Sequence, residues 1–146
     1  MLVEDHIAFR QSLALLLSHQ SDLEVVAQAG SIAEARELLD SRLDVAVLDL
    51  SLPDGDGRDL IGELQRANAG ISVLVLSVTI RPGRLEEVLK AGADAVLHKV
   101  ASPATIVEEV RRLGGSVATP STTTAGAGFR GLLTTAELRR IPLLGR

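Results

Sequence analysis

The run Val45-Ala46-Val47-Leu48 is continuously apolar, is only four residues long, and ends at Asp49 before the turn-forming tail Pro53-Asp54-Gly55-Asp56-Gly57. So short an apolar run, with no polar alternation, reads as a β-strand buried on both faces. Ile71 to Leu76 repeats the pattern and ends at Ser77. Strands of this kind need helices on both sides, which directs the chain towards a parallel sheet in a layered α/β domain. Asp49 then stands at the carboxyl end of its strand, on the rim where open parallel sheets bind ligands.

The flanking segments supply the helices. Leu2 and Val3 form a stub of strand, and Phe9, Leu13, Leu16 and Leu17 recur at helical spacing from about Ile7 to His19. Leu23 to Ala27 reads as a second strand, and Ser31 with Glu34 makes a capping box opening a helix that carries Ala35, Leu38 and Leu39. Leu60, Ile61 and Leu64 mark a third helix. Pro82-Gly83 opens a fourth, with Leu85, Val88 and Leu89 inward and Gly92 at its carboxyl cap. Ala95 to Leu97 is a fifth strand, after which Ser102-Pro103 starts a helix to about Leu113. Five strand-then-helix repeats predict a doubly wound α/β domain with right-handed crossovers.

At 146 residues, 46% of them hydrophobic, the chain is the size of one domain with a short appendage. A net charge of -4 gives no electrostatic footprint for coating nucleic acid. The absence of cysteine rules out disulfides and thiolate metal sites. No apolar run approaches bilayer length and the amino terminus lacks signal-peptide features, so a soluble, cytoplasmic protein with no membrane partner is expected. The expected organisation is a domain over 1–113, a Gly/Ser/Thr-rich flexible linker over 114–131, and a tail over 132–146. In that tail Thr134 and Glu137 form a capping box, so a short helix is expected, stopped by Pro142.

Strand ends bring Glu4, Asp5, Asp49, Ser77 and Lys99 to one rim. Unit charges about 5 Å apart at an effective dielectric of about 20 repel by roughly 3 kcal/mol per pair, so the three carboxylates need a counter-charge. Mg²⁺, a hard cation that takes oxygen ligands, would provide it, and Lys99 would neutralise the remainder. Singly, these residues are ordinary: a solvated helix start, a turn residue, a surface lysine. Their coincidence at strand ends carries the functional reading. Asp54 does not open a calcium loop, because Asp59 and Gln65 occupy the positions that require glycine and glutamate. His6, His19 and His98 have no ligand spacing.

Val3-Glu4-Asp5-His6, Val47-Leu48-Asp49-Leu50-Ser51-Leu52-Pro53-Asp54-Gly55-Asp56-Gly57, Leu76-Ser77 and Gly92-Ala93-Asp94-Ala95-Val96-Leu97-His98-Lys99 together resemble the CheY-like receiver domain of bacterial two-component response regulators, over Met1 to about Leu113. The resemblance implies a flavodoxin-like five-stranded parallel sheet of order 2-1-3-4-5. It implies that Asp49 accepts a phosphoryl group from a sensor histidine kinase. Glu4, Asp5, Asp49 and the backbone carbonyl of Ser51 would hold Mg²⁺, and Ser77 and Lys99 would contact the phosphoryl oxygens. It further implies a signalling domain, with at most slow self-phosphorylation and self-dephosphorylation, that could form a homodimer through its fourth helix, fifth strand and fifth helix or through helices one and five. At the end of the fifth strand, Lys99 is expected to reach Asp49 from the side opposite the metal.

A Mg²⁺-dependent phosphohydrolase with an aspartyl intermediate shares this chemistry, but such enzymes commonly carry a second acid two residues after the nucleophile, where this chain has Ser51. A dinucleotide or flavin site is disfavoured because Glu4-Asp5 would repel a bare phosphate after the first strand. Leu133 to Leu138 resembles the start of the LuxR-type helix-turn-helix of the NarL/LuxR subfamily of transcription regulators, but no recognition helix follows, so DNA binding is not expected of this chain. Val96 stands where the family often has an aromatic switch residue. A first strand of only Leu2 and Val3 is expected to be continued upstream or to leave a central strand weak.

Overall fold

The computed structural model describes residues 1–115 and 133–134. In chain order the elements are β1 (Leu2–Val3), α1 (Ile7–Ser18), β2 (Gln28–Ala29), α2 (Ile32–Glu37), β3 (Val45–Asp49), β4 (Ser51–Leu52), β5 (Gly55–Asp56), α3 (Arg58–Ala67), β6 (Ser72–Ser77), α4 (Pro82–Lys90), β7 (Ala95–His98), α5 (Pro103–Gly114) and β8 (Leu133–Thr134). The strands β2, β1, β3, β6 and β7 lie side by side in that order, all parallel. With β4 and β5 set aside as a separate antiparallel hairpin, this is the expected order of five.

Alternation along the strands divides the core into two layers. Leu2, Val47, Leu74, Leu76 and Leu97 pack with Leu13 and Leu17 of α1 and with Ile106 and Val110 of α5. Their neighbours Val3, Leu48, Val73, Val75 and Val96 pack on the other side with Ile32, Ile61, Leu64 and Val88 of α2, α3 and α4. The continuous apolar runs therefore serve both layers. Burying each large side chain contributes about 1.5–3 kcal/mol, which fixes the strand ends to the rim.

Four expectations change. The second strand begins at Gln28, not Leu23. A parallel ladder extends only as far as its partner, and β1 pairs Leu2 with Gln28 and Val3 with Ala29, its Leu2 and Glu4 N–H groups donating to the Ala27 and Ala29 carbonyls at 2.9 Å. The helix α2 stops at Glu37, so Leu38 is 39% exposed and not a core residue, whereas Leu39 packs against the core. The Pro53-to-Gly57 turn belongs to the β4–β5 hairpin. The sheet also gains a sixth strand, because β8 adds antiparallel to the outer edge of β7 and pairs Leu133 with Val96 and Thr134 with Ala95. Thr134, read as a helix cap, is thus a strand residue; Glu137, Pro142 and nearly all of the linker and tail lie outside the described residues.

The first strand is as short as expected, and Met1 prolongs its pairing. The Met1 amino group donates to the Val45 carbonyl at 2.9 Å, and Val47 N–H donates to the Met1 carbonyl at 2.9 Å.

Candidate functional site

The carboxyl ends of β1, β3, β6 and β7 converge. Glu4, Asp5 and Asp49 each present a carboxylate oxygen within 4.8 Å of the others, with Glu4 and Asp49 buried and Asp5 exposed. Two buried carboxylates at that separation require compensation. Lys99 supplies it: Nζ lies 2.7 Å from Glu4 Oε2 and 2.8 Å from Asp49 Oδ2. Burial pulls the Lys99 pKa down, but the Asp49 and Glu4 partners outweigh it and hold the ammonium above its ordinary value. Lys99 is therefore charged throughout the physiological range.

Sequence reasoning placed Lys99 on the far side of Asp49 from the metal ligands. In the structure its ammonium bridges Glu4 and Asp49, two of the three carboxylates expected to hold that metal. The Phe9 ring lies under the ammonium, 5.3 Å from Nζ to the centroid, a cation–π contact that limits where Lys99 can swing. Helical spacing marked Phe9 as an apolar-face residue and gave no signal of this second contact.

Local backbone fixes Asp49. Ser51 N–H donates to Asp49 Oδ1 at 3.1 Å, leaving Oδ2 to Lys99. The hairpin is pinned to α2 by Asp54, whose two oxygens accept from Ile32 N–H at 2.8 Å and Ala33 N–H at 2.9 Å. Those bonds hold the Asp54 carboxyl below its usual range. At Gly57 the backbone passes so near β3 that a Cβ would lie 2.1 Å from the Asp49 carbonyl oxygen. Neither Asp54 nor Gly57 stood out from the turn composition, since many Pro-Asp-Gly stretches make no such contact.

Ser77 and Lys99 are tied through the backbone, Lys99 N–H donating to the Ser77 carbonyl at 2.9 Å. The Ser77 hydroxyl donates to the Thr79 carbonyl at 2.9 Å and lines a shallow cleft with Ser51, Thr79 and Arg84. Val96 is not part of the rim. It is buried in the core layer that α2, α3 and α4 cover. Among the described residues, no helix is long and apolar enough to cross a membrane.

Residues 1–111 match the response regulator receiver domain. The transcriptional regulatory protein UhpA of Salmonella typhimurium is 38% identical over 82% of this chain and 61% of its own length. The DNA-binding transcriptional activator DevR/DosR of Mycobacterium tuberculosis is 34% identical over 77% of this chain and 52% of its own. The chain thus spans about half to three-fifths of these curated relatives. Among solved structures, the signal receiver domain of NarL from Mycobacterium tuberculosis superposes with a TM-score of 0.72 at 30% identity, covering 77% of this chain and 92% of that one. A response regulator from Burkholderia pseudomallei, solved with a phosphorylated aspartic acid, calcium ion and citrate, gives 0.66 at 26% identity over 76% of this chain and 69% of that one. With a rim of three carboxylates and a bridging lysine at the ends of its parallel strands, the chain belongs to the response regulator receiver domain family.

Proposed function

We propose that Asp49 is the phosphoacceptor of this receiver domain, taking a phosphoryl group from a sensor histidine kinase. The observation that carries this reading is the convergence of Glu4, Asp5 and Asp49 within 4.8 Å, with Lys99 on both buried carboxylates. An Asp49 carboxylate oxygen forms a bond to phosphorus as the donor's phosphorus–nitrogen bond breaks, and the electron pair leaves with the imidazole. The product is an aspartyl phosphate. Little covalent work falls to the protein, so alignment and charge compensation are the catalytic contributions.

The donor set suits a hard divalent cation, since all three groups offer carboxylate oxygen and one of them is open to solvent. Glu4, Asp5, Asp49 and the carbonyl of Ser51 would hold Mg²⁺, which when bound supplies neutralisation of the phosphoryl charge. Lys99 exchanges its Asp49 contact for a phosphoryl oxygen, and its raised pKa keeps it cationic for that role. Ser77 releases the Thr79 carbonyl and donates its hydroxyl to another oxygen, which displaces the loop after β6. Val96, buried and aliphatic, follows that displacement without an aromatic rotation.

The domain signals by changing shape, and its own phosphorylation from small donors and loss of the phosphoryl group are slow. DevR/DosR, of whose length this chain matches 52%, is described as a DNA-binding transcriptional activator, which places the domain among receivers of transcription regulators. Incubation with acetyl phosphate and Mg²⁺ should add one phosphoryl mass to the intact protein, and EDTA or Asp49→Asn should abolish it. An adduct that survives Asp49→Asn would move the acceptor elsewhere.

A further inference from the structure

Two arginines and two carboxylates next to the acceptor loop have no part in the phosphoryl chemistry described above. Asp56 Oδ2, on β5, accepts from Arg58 Nε at 3.0 Å, with Arg58 Nη2 2.9 Å away, and from Arg84 Nη2, on α4, at 2.7 Å. Arg58 also pairs with Glu87 of α4, and Arg84 Nη1 lies 3.6 Å from the same carboxylate. The four groups close a ring of alternating charge that fastens α4 to the hairpin following Asp49.

Arg84 and Glu87 form one wall of the shallow cleft whose other walls include Ser51 and Ser77. The ring therefore reaches Asp49 only through its neighbours: it shares the cleft with Ser51, two residues after Asp49, and with Ser77, the proposed phosphoryl contact, so the nearly two negative charges of a phosphoryl group on Asp49 would arise beside that cleft. Its members are partly exposed, with side chains between 25% and 56% accessible, so the pairs are weak enough to exchange partners. The amino end of α4 has no side-chain cap at Arg81.

We propose that this ring is an ionic latch: it holds α4 against the β4–β5 hairpin while Asp49 is unmodified, and new negative charge in the cleft draws Arg84 from Asp56 and frees the helix. The proposal rests on Asp49 being the acceptor and names how that site is regulated. Buried Val96 offers no side chain for a surface switch, and the latch supplies a separate route from the acceptor loop to α4.

The test compares the full chain with Arg84→Ala and Asp56→Asn, with Arg36→Ala as control. Arg36 makes an equally short pair with Glu63, at 2.7 Å, joining α2 to α3 away from the cleft. Amide NMR spectra are recorded with and without beryllofluoride and Mg²⁺, and the initial rate of phosphorylation by acetyl phosphate is measured. Without beryllofluoride, the amides of Leu89 to Gly92 in both latch variants should lie part-way towards the positions that beryllofluoride induces in the native chain. Their phosphorylation should be about three- to fivefold faster, the factor expected for losing one or two partly exposed pairs. Salt at about 0.5 M should move the native spectrum the same way and leave Arg84→Ala unchanged, and Arg84→Lys should partly restore native behaviour. Native positions and rates in both latch variants, or an equal effect from Arg36→Ala, would overturn the latch while native phosphorylation stood. A native chain that forms no adduct would remove the acceptor reading and the latch together.

Discussion

At Gly57 the decisive property is the missing side chain, and backbone freedom is secondary. Its φ of -55° and ψ of -22° are accessible to any residue, but a Cβ would meet the Asp49 carbonyl oxygen at 2.1 Å. Gly57→Ala should therefore push the hairpin off β3 and cost about 1–3 kcal/mol, read as a lower urea midpoint. An unchanged midpoint would show that the loop yields freely. At this scale the sequence revealed the groups that stand at strand ends, Glu4, Asp5, Asp49 and Lys99, because apolar runs mark where strands stop. It was silent about contacts made by residues with another evident role. Phe9 had an apolar face to fill and Asp54 a turn to make, and neither pattern reports the lysine or the helix end that each also touches.

Among the elements, β1 is the one whose shortness has measurable consequences. The Met1 amino group is buried against Val45, and burial lowers its pKa from 8.0 to about 6, partly offset by Asp44. Between about pH 6 and 8 the unfolded chain retains a proton there that the folded chain has released, so stability rises with pH across that window. Two pKa units set an upper bound of about 2.7 kcal/mol. For a chain whose amino terminus is Met1, the unfolding free energy should increase from pH 5.5 to 8.5, and acetylation of the amino group should flatten the change. A slope that survives acetylation would assign it to other groups. The displaced second strand has the same origin: Leu23 to Ala27 has strand character, but pairing needs a partner, and β1 reaches only Gln28 and Ala29. Propensity was legible in the sequence, whereas the length of a neighbour across the sheet was not.

For the molecule as a whole, the alternation of strands and helices contained the fold, since strands buried on both faces can be covered only by helices on each side. It did not contain β8, whose two residues join the sheet through backbone bonds that no hydrophobic pattern announces. The rim follows from the same architecture: parallel strands end together, so residues as far apart as Glu4 and Lys99 meet and share a charge balance. That balance is poised for an added anion, with a lysine held on two carboxylates and a serine held on its own loop. The central claim is that the anion is a phosphoryl group bonded to Asp49. Borohydride reduction of the protein after reaction with acetyl phosphate and Mg²⁺, followed by peptide mass mapping, tests it most directly, since reduction converts an aspartyl phosphate to homoserine and spares free carboxylates. The account predicts homoserine at position 49 and at no other aspartate; homoserine elsewhere with position 49 unchanged would contradict it.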